Sequence, residues 1–252
     1  AVAILVPFRD DGSGGRLQQL ERFLRHFAER VAPAMTADLQ VVVLEQSPKG
    51  DFNRGKLLNI GARWCYAYLG RDATICIHDV DMLPEPPLLP FYCHRRPGEC
   101  VHIGWVNRRY DYKHFFGGVC ALGLCDFLAA GGFPNDFWGW GREDDVLHGR
   151  LRVLAQVKVR VPALPSSAMI LQDASGGSAA SAPRWESRNR VFRQHLLGQD
   201  SIFDTPSFRV LAHEDHGWLW HLCLDLQPER RAEPGADSPA VSPVTPLVRA
   251  MA

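Results

Sequence analysis

The 252-residue chain contains no apolar run of the length needed to cross a bilayer, and no signal peptide opens it. Its first residues, Ala1-Val2-Ala3-Ile4-Leu5-Val6-Pro7, already read as a buried strand, as expected of a chain trimmed of a targeting segment. Neither sign of charge is in excess: Lys plus Arg and Asp plus Glu both number 28. A nucleic-acid or anionic-membrane binder normally carries a basic surplus, so those classes are disfavoured. CxxC and zinc-type Cys/His spacings are missing. The cysteines number seven, so at least one thiol is free within a monomer, and the redox compartment stays open. No Gly-x-Ser-x-Gly elbow supports a serine hydrolase. His213-Glu214-Asp215-His216 falls one residue short of the HExxH spacing of a zinc protease. No internal repeat is found.

What is present fits an ordinary globular protein: 46% hydrophobic, 22% charged, and long enough for one large domain or two small ones. Val2–Val6, Leu39–Leu44 and Thr74–Ile77 read as buried strands. Leu17, Leu20, Phe23, Leu24, Phe27 and Val31 recur at helical spacing, and 56–69 also reads as a helix. Strand and helix alternating in this way predict an α/β fold with a mostly parallel, Rossmann-like sheet and helices on both faces. Ligands of such sheets bind at the carboxyl ends of the strands, where Arg9, Asp10, Asp79 and Asp81 fall. Beyond Asp81 the pattern is less regular. Pro84–Pro90 reads as a proline-rich loop, Gly117–Leu122 and Val157–Val161 as strands, Asp126–Ala130 and Asp144–Leu154 as helices. Asp173–Pro183 reads as a mobile glycine-rich loop, and 227–252 as a disordered tail. The folded part is expected to be a single domain over 1–226, with a regular α/β half at 1–81 and a less regular half at 82–226.

Two acidic clusters carry the chemistry. In Asp79-Val80-Asp81, alternation would put both carboxylates on one side and turn Val80 into the core. Such oxygens suit a hard divalent cation that could neutralise a diphosphate leaving group. The alternative is a pair of solvated loop acids. The stretch 131–145, from Gly131 through Trp138-Gly139-Trp140-Gly141-Arg142-Glu143-Asp144-Asp145, combines four glycines, indole faces and three consecutive acids. Indole packs well on the C–H face of a sugar, and Asp144 behind Trp140 would be placed to take a proton from an acceptor hydroxyl. The competing readings are core tryptophans and a helix-start acid cluster. Phe8 with Arg9, and Phe52 with Arg54 and Lys56, each offer an aromatic face and a cation for a nucleotide. The plainer reading of each is a surface turn.

Val6-Pro7-Phe8-Arg9, Phe52-Asn53-Arg54-Gly55-Lys56-Leu57-Leu58-Asn59-Ile60-Gly61, Asp79-Val80-Asp81, Phe116-Gly117-Gly118-Val119 and 132–145 occur in this order. Together they resemble the β-1,4-galactosyltransferase family over about residues 2–173. His78 and Arg142 are most similar to the branch that galactosylates xylose on the proteoglycan linker. Gly-Phe-Pro-Asn and Phe-Gly-Gly-Val are more similar to the lactosamine-making branches. The resemblance implies a GT-A glycosyltransferase fold, a UDP-galactose donor, a glycan or proteoglycan acceptor, Mn²⁺ and inversion at the anomeric carbon. It implies that Pro7, Phe8, Arg9, Phe52, Arg54, Asp79 and Val80 hold the donor nucleotide, and that Trp140 and Glu143 hold the sugars. Asp144 would be the base and Asp81 a metal ligand. It also implies the Golgi lumen, with an N-terminal membrane anchor that this chain lacks.

The sequence departs from the family pattern in two places. The other metal ligands of the family are a methionine and a histidine three residues on, or His-x-His; here Met169 fits, but Gln172 stands at the histidine position and Asp173 follows. A neutral amide binds Mn²⁺ more weakly than imidazole. The family's donor- and acceptor-contacting tyrosine is Phe115 here, which opens the alternative of an N-acetylhexosaminyltransferase. Gln172 opens another: a catalytically weak carbohydrate- or nucleotide-binding homologue.

Overall fold

Alternation along the first strand decides the architecture. In β1 (Val2–Phe8), Ala3 and Leu5 enter one apolar cluster, while Val2, Ile4, Val6 and Phe8 enter another. Both faces of this strand are therefore buried, as in a sheet covered by helices on each side. The computed structural model describes residues 1–93, 96–107, 116–139, 141–172 and 208–226. After β1 come α1 (Gly15–His26), a π turn at Phe27–Val31, β2 (Leu39–Gln46), α2 (Arg54–Leu69), β3 (Thr74–His78), β4 (Met82–Pro84), α3 (Leu89–Tyr92), β5 (Glu99–His102) and β6 (Val119–Gly123). The described remainder holds α4 (Leu124–Ala129), α5 (Glu143–Val153), β7 (Lys158–Arg160), β8 (Met169–Leu171), β9 (Phe208–Asp215) and β10 (Leu219–Leu226).

Eight strands form one sheet in the order β7-β5-β6-β3-β1-β2-β10-β9, and β4 pairs with β8 in a small second sheet. The central strands β3, β1, β2 and β10 are parallel; β6 and β9 run against their neighbours. Helices α2, α4 and α5 pack on the Leu5 and Leu44 side, and α1 with α3 on the Val6 and Val43 side.

The three leading strands and the helix after β2 match the sequence expectation within two residues. Some expectations need correction. Leu17 is exposed, because α1 begins only at Gly15 and buries the Leu20 and Phe23 side. The proline-rich segment is not a loop throughout: β4 ends at Pro84, a 3₁₀ turn spans Pro86–Leu88, and α3 follows. Proline is tolerated in such first turns, where its missing N–H has no intrahelical partner to lose. Strands β5, β8, β9 and β10 were not anticipated. Asp173–Pro183, the 227–252 tail, Phe115 and Trp140 lie outside the described residues.

Close packing sets where α2 sits. A Cβ on Gly61 would fall 2.6 Å from Leu44 Cδ1, so this helix face can approach the sheet only without a side chain there. A Cβ on Gly55 would lie 2.9 Å from Phe133 Cβ and 3.2 Å from Pro134 O. Gly55→Ala is therefore expected to cost about 1–3 kcal/mol by overpacking. Urea denaturation checks this, and an unchanged midpoint would refute the packing argument.

Candidate active site

The β3 ladder stops at the His78–Val119 pair, and the acids that follow form a turn in which Met82 N donates to Asp79 O at 3.2 Å. The strand alternation expected for Asp79-Val80-Asp81 is thus replaced by turn geometry. Val80 still packs into the core, Asp81 is 7% exposed, and the Asp79 side chain is about a third open. The turn is held from both sides. Asp79 N donates to Gly118 O at 2.9 Å, which gives the Phe-Gly-Gly-Val segment a structural task. Gly118 has φ +74, and a Cβ there would meet Met82 Sδ.

From below, His78 is fully buried between Phe23, Phe27 and Tyr92. Its Nδ1 lies 2.9 Å from Asp79 O, which can only accept, so Nδ1 carries the proton and Nε2 accepts from Tyr92 Oη at 2.9 Å. Burial holds its pKa down to about 4, and that of His102 likewise. Neutral in the fold and charged when unfolded, both contribute stability that is complete above the ordinary value of 6.5 and is lost as pH falls toward 4. His78→Gln is expected to flatten that fall by up to about 1.4 kcal/mol per pH unit, one proton's worth. Denaturation midpoints between pH 7 and 4 test it; an unchanged slope would refute the assignment.

Helix α2 begins the second wall. Asn53 caps it by accepting from Lys56 N at 2.9 Å, while its own Nδ2 donates to Asn135 O at 2.7 Å. Six residues on, Asn59 accepts from Phe133 N at 2.9 Å and donates to Phe133 O and Asn135 Oδ1. Arg150, buried on α5, donates to Gly131 O and Gly132 O. Three buried polar side chains thus fix the 131–135 loop. Asn53 and Asn59 stand six apart inside the 52–61 motif, but no local pattern marks them or Arg150 as loop clamps.

Arg54 is the hub. Its Nε and Nη2 donate to Asp79 Oδ1 at 3.0 and 2.8 Å, its Nη1 to Asp144 Oδ1 at 2.6 Å, and Glu143 Oε1 lies 3.8 Å from Nη1. The guanidinium also sits 5.9 Å from the Phe133 ring centroid. Three carboxylates from two elements meet one cation, so this group carries a surplus of negative charge. Burial pushes Asp144 well above the usual carboxylate range; Arg54 opposes that, and the Glu143 and Asp79 charges reinforce it. Arg54 is held above its ordinary value by the three acids, against the effect of burial.

The tryptophan segment turns tightly into α5. Gly139 and Gly141 have φ of +83 and +98, and Arg142 follows at +74, a left-handed conformation that costs a non-glycine residue about 1–2 kcal/mol. Arg142 Nε lies 3.3 Å from Asp145, so Asp145 serves the helix start. Gly139 N donates to Phe52 O at 2.8 Å, and Trp138 packs against the α2-side core. Across from it Arg9 donates to Gly50 O at 2.7 Å and stands 5.5 Å from the Phe52 ring centroid. Pro7 is buried, and the Phe8 ring packs in the α1-side core at 2% exposure, so neither presents an open face.

The last expected group is Met169 with Gln172. Met169 is buried in β8, and its carbonyl accepts from Asn107 Nδ2 at 2.7 Å. Gln172 N donates to Asp81 O at 2.7 Å, which straps the segment to the acidic turn. Gln172 Nε2 gives its protons to Val80 O at 2.9 Å and Gln19 O at 3.2 Å. Any ligand atom that Gln172 supplies is therefore Oε1. A carboxylate and an amide oxygen beside the Arg54 acids form a hard donor set, which fits Mn²⁺ or Mg²⁺.

An open α/β sheet with acidic groups gathered at its strand ends, beside one loop clamped by Asn53 and Asn59 and an acid-rich helix start, has the layout of a ligand cleft. The catalytic domain of Drosophila β1,4-galactosyltransferase 7, solved with xylobiose, superposes with a TM-score of 0.75 at 25% identity, covering 90% of this chain and 94% of that one. A mutant of the same enzyme, solved with manganese, UDP-Gal and xylobiose, superposes with a TM-score of 0.74 at 24% identity over the same shares. The fold is thus that of the GT-A glycosyltransferases. Residues 1–94 match the model of the N-terminal region of glycosyl transferase group 7, and 101–171 that of the N-terminal domain of galactosyltransferase. β-1,4-Galactosyltransferase 3 of Rattus norvegicus is 31% identical over 247 residues, and β-1,4-galactosyltransferase 4 of Homo sapiens 34% over 233. These alignments cover 96% and 89% of this chain, which spans 59% and 63% of the two relatives' lengths. The chain belongs to the β-1,4-galactosyltransferase family. Among the described residues no helix is long and apolar enough to cross a membrane.

Proposed function

We propose that this protein moves galactose from UDP-galactose to a sugar hydroxyl, with inversion and with the aid of a divalent metal, forming a β-1,4 link. The observation that carries the reading is the Arg54 hub, which draws Asp79 from the end of β3 and Asp144 from the start of α5 into one cleft. Family membership and the xylobiose in the Drosophila neighbour support a glycan acceptor.

In this reading Arg9, Phe52, Arg54 and Asp79 form the UDP side of the cleft, while Pro7, Phe8 and Val80 support it from within the core. The sugars are assigned to Trp140 and Glu143, as the family resemblance implies. Asp144, its pKa raised by burial, accepts the proton of the acceptor hydroxyl as its oxygen attacks the anomeric carbon from the side opposite UDP. The new C–O bond takes the electron pair of the acceptor oxygen, and the pair of the broken bond leaves on the UDP phosphate. Arg54 keeps Asp144 aimed and ionised before the proton arrives. A Mn²⁺ ion held by Asp81, Met169 and Gln172 would offset the charge that builds on the diphosphate. Residues 1–226 act as one catalytic domain, 1–81 on the nucleotide side and 82–226 on the acceptor and metal side. The setting proposed from the family is the Golgi lumen, with any membrane attachment through an N-terminal anchor.

Calorimetry of UDP with and without Mn²⁺ tests the nucleotide site. The expected result is UDP binding that tightens at least about tenfold with the metal, a coupling of about 1.4 kcal/mol. Absent or metal-independent binding would favour a carbohydrate-binding homologue without transferase activity.

A further inference from the structure

A second cluster of metal-ligating side chains lies away from the Arg54 cleft, where the C-terminal strand β10 joins β2. Glu45 of β2 stands in register with Cys223 of β10, and His221 is two residues earlier on the same strand. Alternation directs all three to the face of Val41, Val43 and Leu219, opposite the inward Leu222 and Leu224. Their donor atoms converge. Glu45 Oε2 lies 2.7 Å from His221 Nε2 and 3.7 Å from Cys223 Sγ, and Cys223 Sγ lies 3.6 Å from His221 Nε2. The three ligand atoms lie within 4.8 Å of one another, and each residue is half-buried.

Two uses of a Cys/His/Glu trio differ in geometry. A thiol nucleophile needs the thiol on one ring nitrogen and the orienting carboxylate on the other. Here both groups meet the same nitrogen, Nε2, so no proton relay can run through the ring. A shared point of convergence is what a metal requires. Around a tetrahedral zinc with Zn–S of about 2.3 Å and Zn–N and Zn–O of about 2.0 Å, the ligand edges to sulfur are about 3.5 Å. The two edges to Cys223 are already near that length. Only the Glu45–His221 edge must open, from 2.7 Å to about 3.3 Å, within reach of a side-chain rotation.

We propose that Glu45, His221 and Cys223 form a site for a thiophilic divalent cation, zinc by its donor set of one thiolate, one imidazole and one carboxylate. The half-exposed side chains leave a fourth position to water. The site is independent of the acidic turn at Asp79–Asp81, whose hard oxygen donors suit a different class of ion. Binding displaces two protons, the Cys223 thiol proton and the Nε2 proton of His221, whose pKa the Cys223 and Glu45 contacts raise to about 10, and it ties β10 to β2 across 178 residues of sequence. Cross-links that close long loops restrict the unfolded chain most.

The test uses the full chain with zinc, and with cobalt as a spectroscopic substitute. The wild type and Asp81→Asn are both expected to hold one equivalent of zinc after dialysis and to show a thiolate-to-cobalt charge-transfer band. Cys223→Ser is expected to lose the band and to bind zinc more than about 100-fold more weakly, since even outer partners of ligands cost about 10–100-fold. Glu45→Gln, which keeps a hydrogen bond to His221, controls for folding and is expected to weaken zinc with an unchanged circular dichroism spectrum. Zinc should raise the thermal midpoint of the wild type and not that of Cys223→Ser. Equal zinc affinity in the wild type and Cys223→Ser, or a cobalt complex without the thiolate band, would overturn the proposal.

Discussion

Asp144→Asn is expected to lower the transfer rate by about 10²–10⁴-fold, the usual contribution of a positioned general base, while UDP affinity stays within about threefold. The amide keeps an oxygen for the 2.6 Å bond from Arg54 but cannot take up the acceptor proton. The wild-type pH profile should bear the same mark. Asp144 acts deprotonated and its pKa is raised by burial, so the rate should fall as pH drops through a value above the ordinary carboxylate range. Rates of galactose transfer for the two proteins, set beside UDP calorimetry, decide the matter. Near wild-type transfer by Asp144→Asn would remove Asp144 from the reaction.

The second large effect belongs to Arg54. Replacing it with methionine leaves Asp79, Asp144 and Glu143 facing one another without a cation. Removing one partner from a buried ion-pair group costs about 3–5 kcal/mol, because the remaining charge is left uncompensated. The penalty should shrink as pH is lowered. In the variant Asp144, already raised by burial, loses the opposing pull of Arg54 and rises further above the unfolded value, so the fold takes up a proton more readily and regains stability toward acid. Urea denaturation of both proteins at pH 7 and pH 5 measures this. A loss below about 1 kcal/mol that does not vary with pH would mean that the hub is solvated and weak.

The two halves of the site differ in how readable they were from sequence. Asp79, Asp81, Arg54, Glu143 and Asp144 announce themselves because charges at strand ends and helix starts have few structural reasons to cluster. That Arg54 joins Asp79 to Asp144 could not be read from sequence, since it depends on where α5 docks across 90 positions of chain. Asn53, Asn59 and Arg150 were passed over for a related reason. Their partners are mostly backbone groups of a loop whose path only the tertiary fold sets. Phe8 shows the opposite error. A residue at a strand end looked available for stacking, but the period-two pattern of Val2, Ile4 and Val6 already assigned it to the core face. The strands β5 and β8 are three or four residues long and carry little periodic signal. β10 had a signal in Leu222, Leu224 and Leu226, buried at alternate positions. Its place beside β2 rather than β9 alone is a long-range choice that no local pattern encodes.

The central claim is galactose transfer, and a donor screen with product analysis tests it most directly. With Mn²⁺ and a panel of glycan acceptors that includes a xyloside and an N-acetylglucosaminide, UDP-galactose, UDP-N-acetylgalactosamine and UDP-N-acetylglucosamine are offered in turn. Proton NMR of the product then reads the linkage. The account predicts transfer from UDP-galactose, a β-1,4 link, and no product without the metal. Preferred transfer from either N-acetylated donor, an α-linked product, or no transfer from any donor would contradict it.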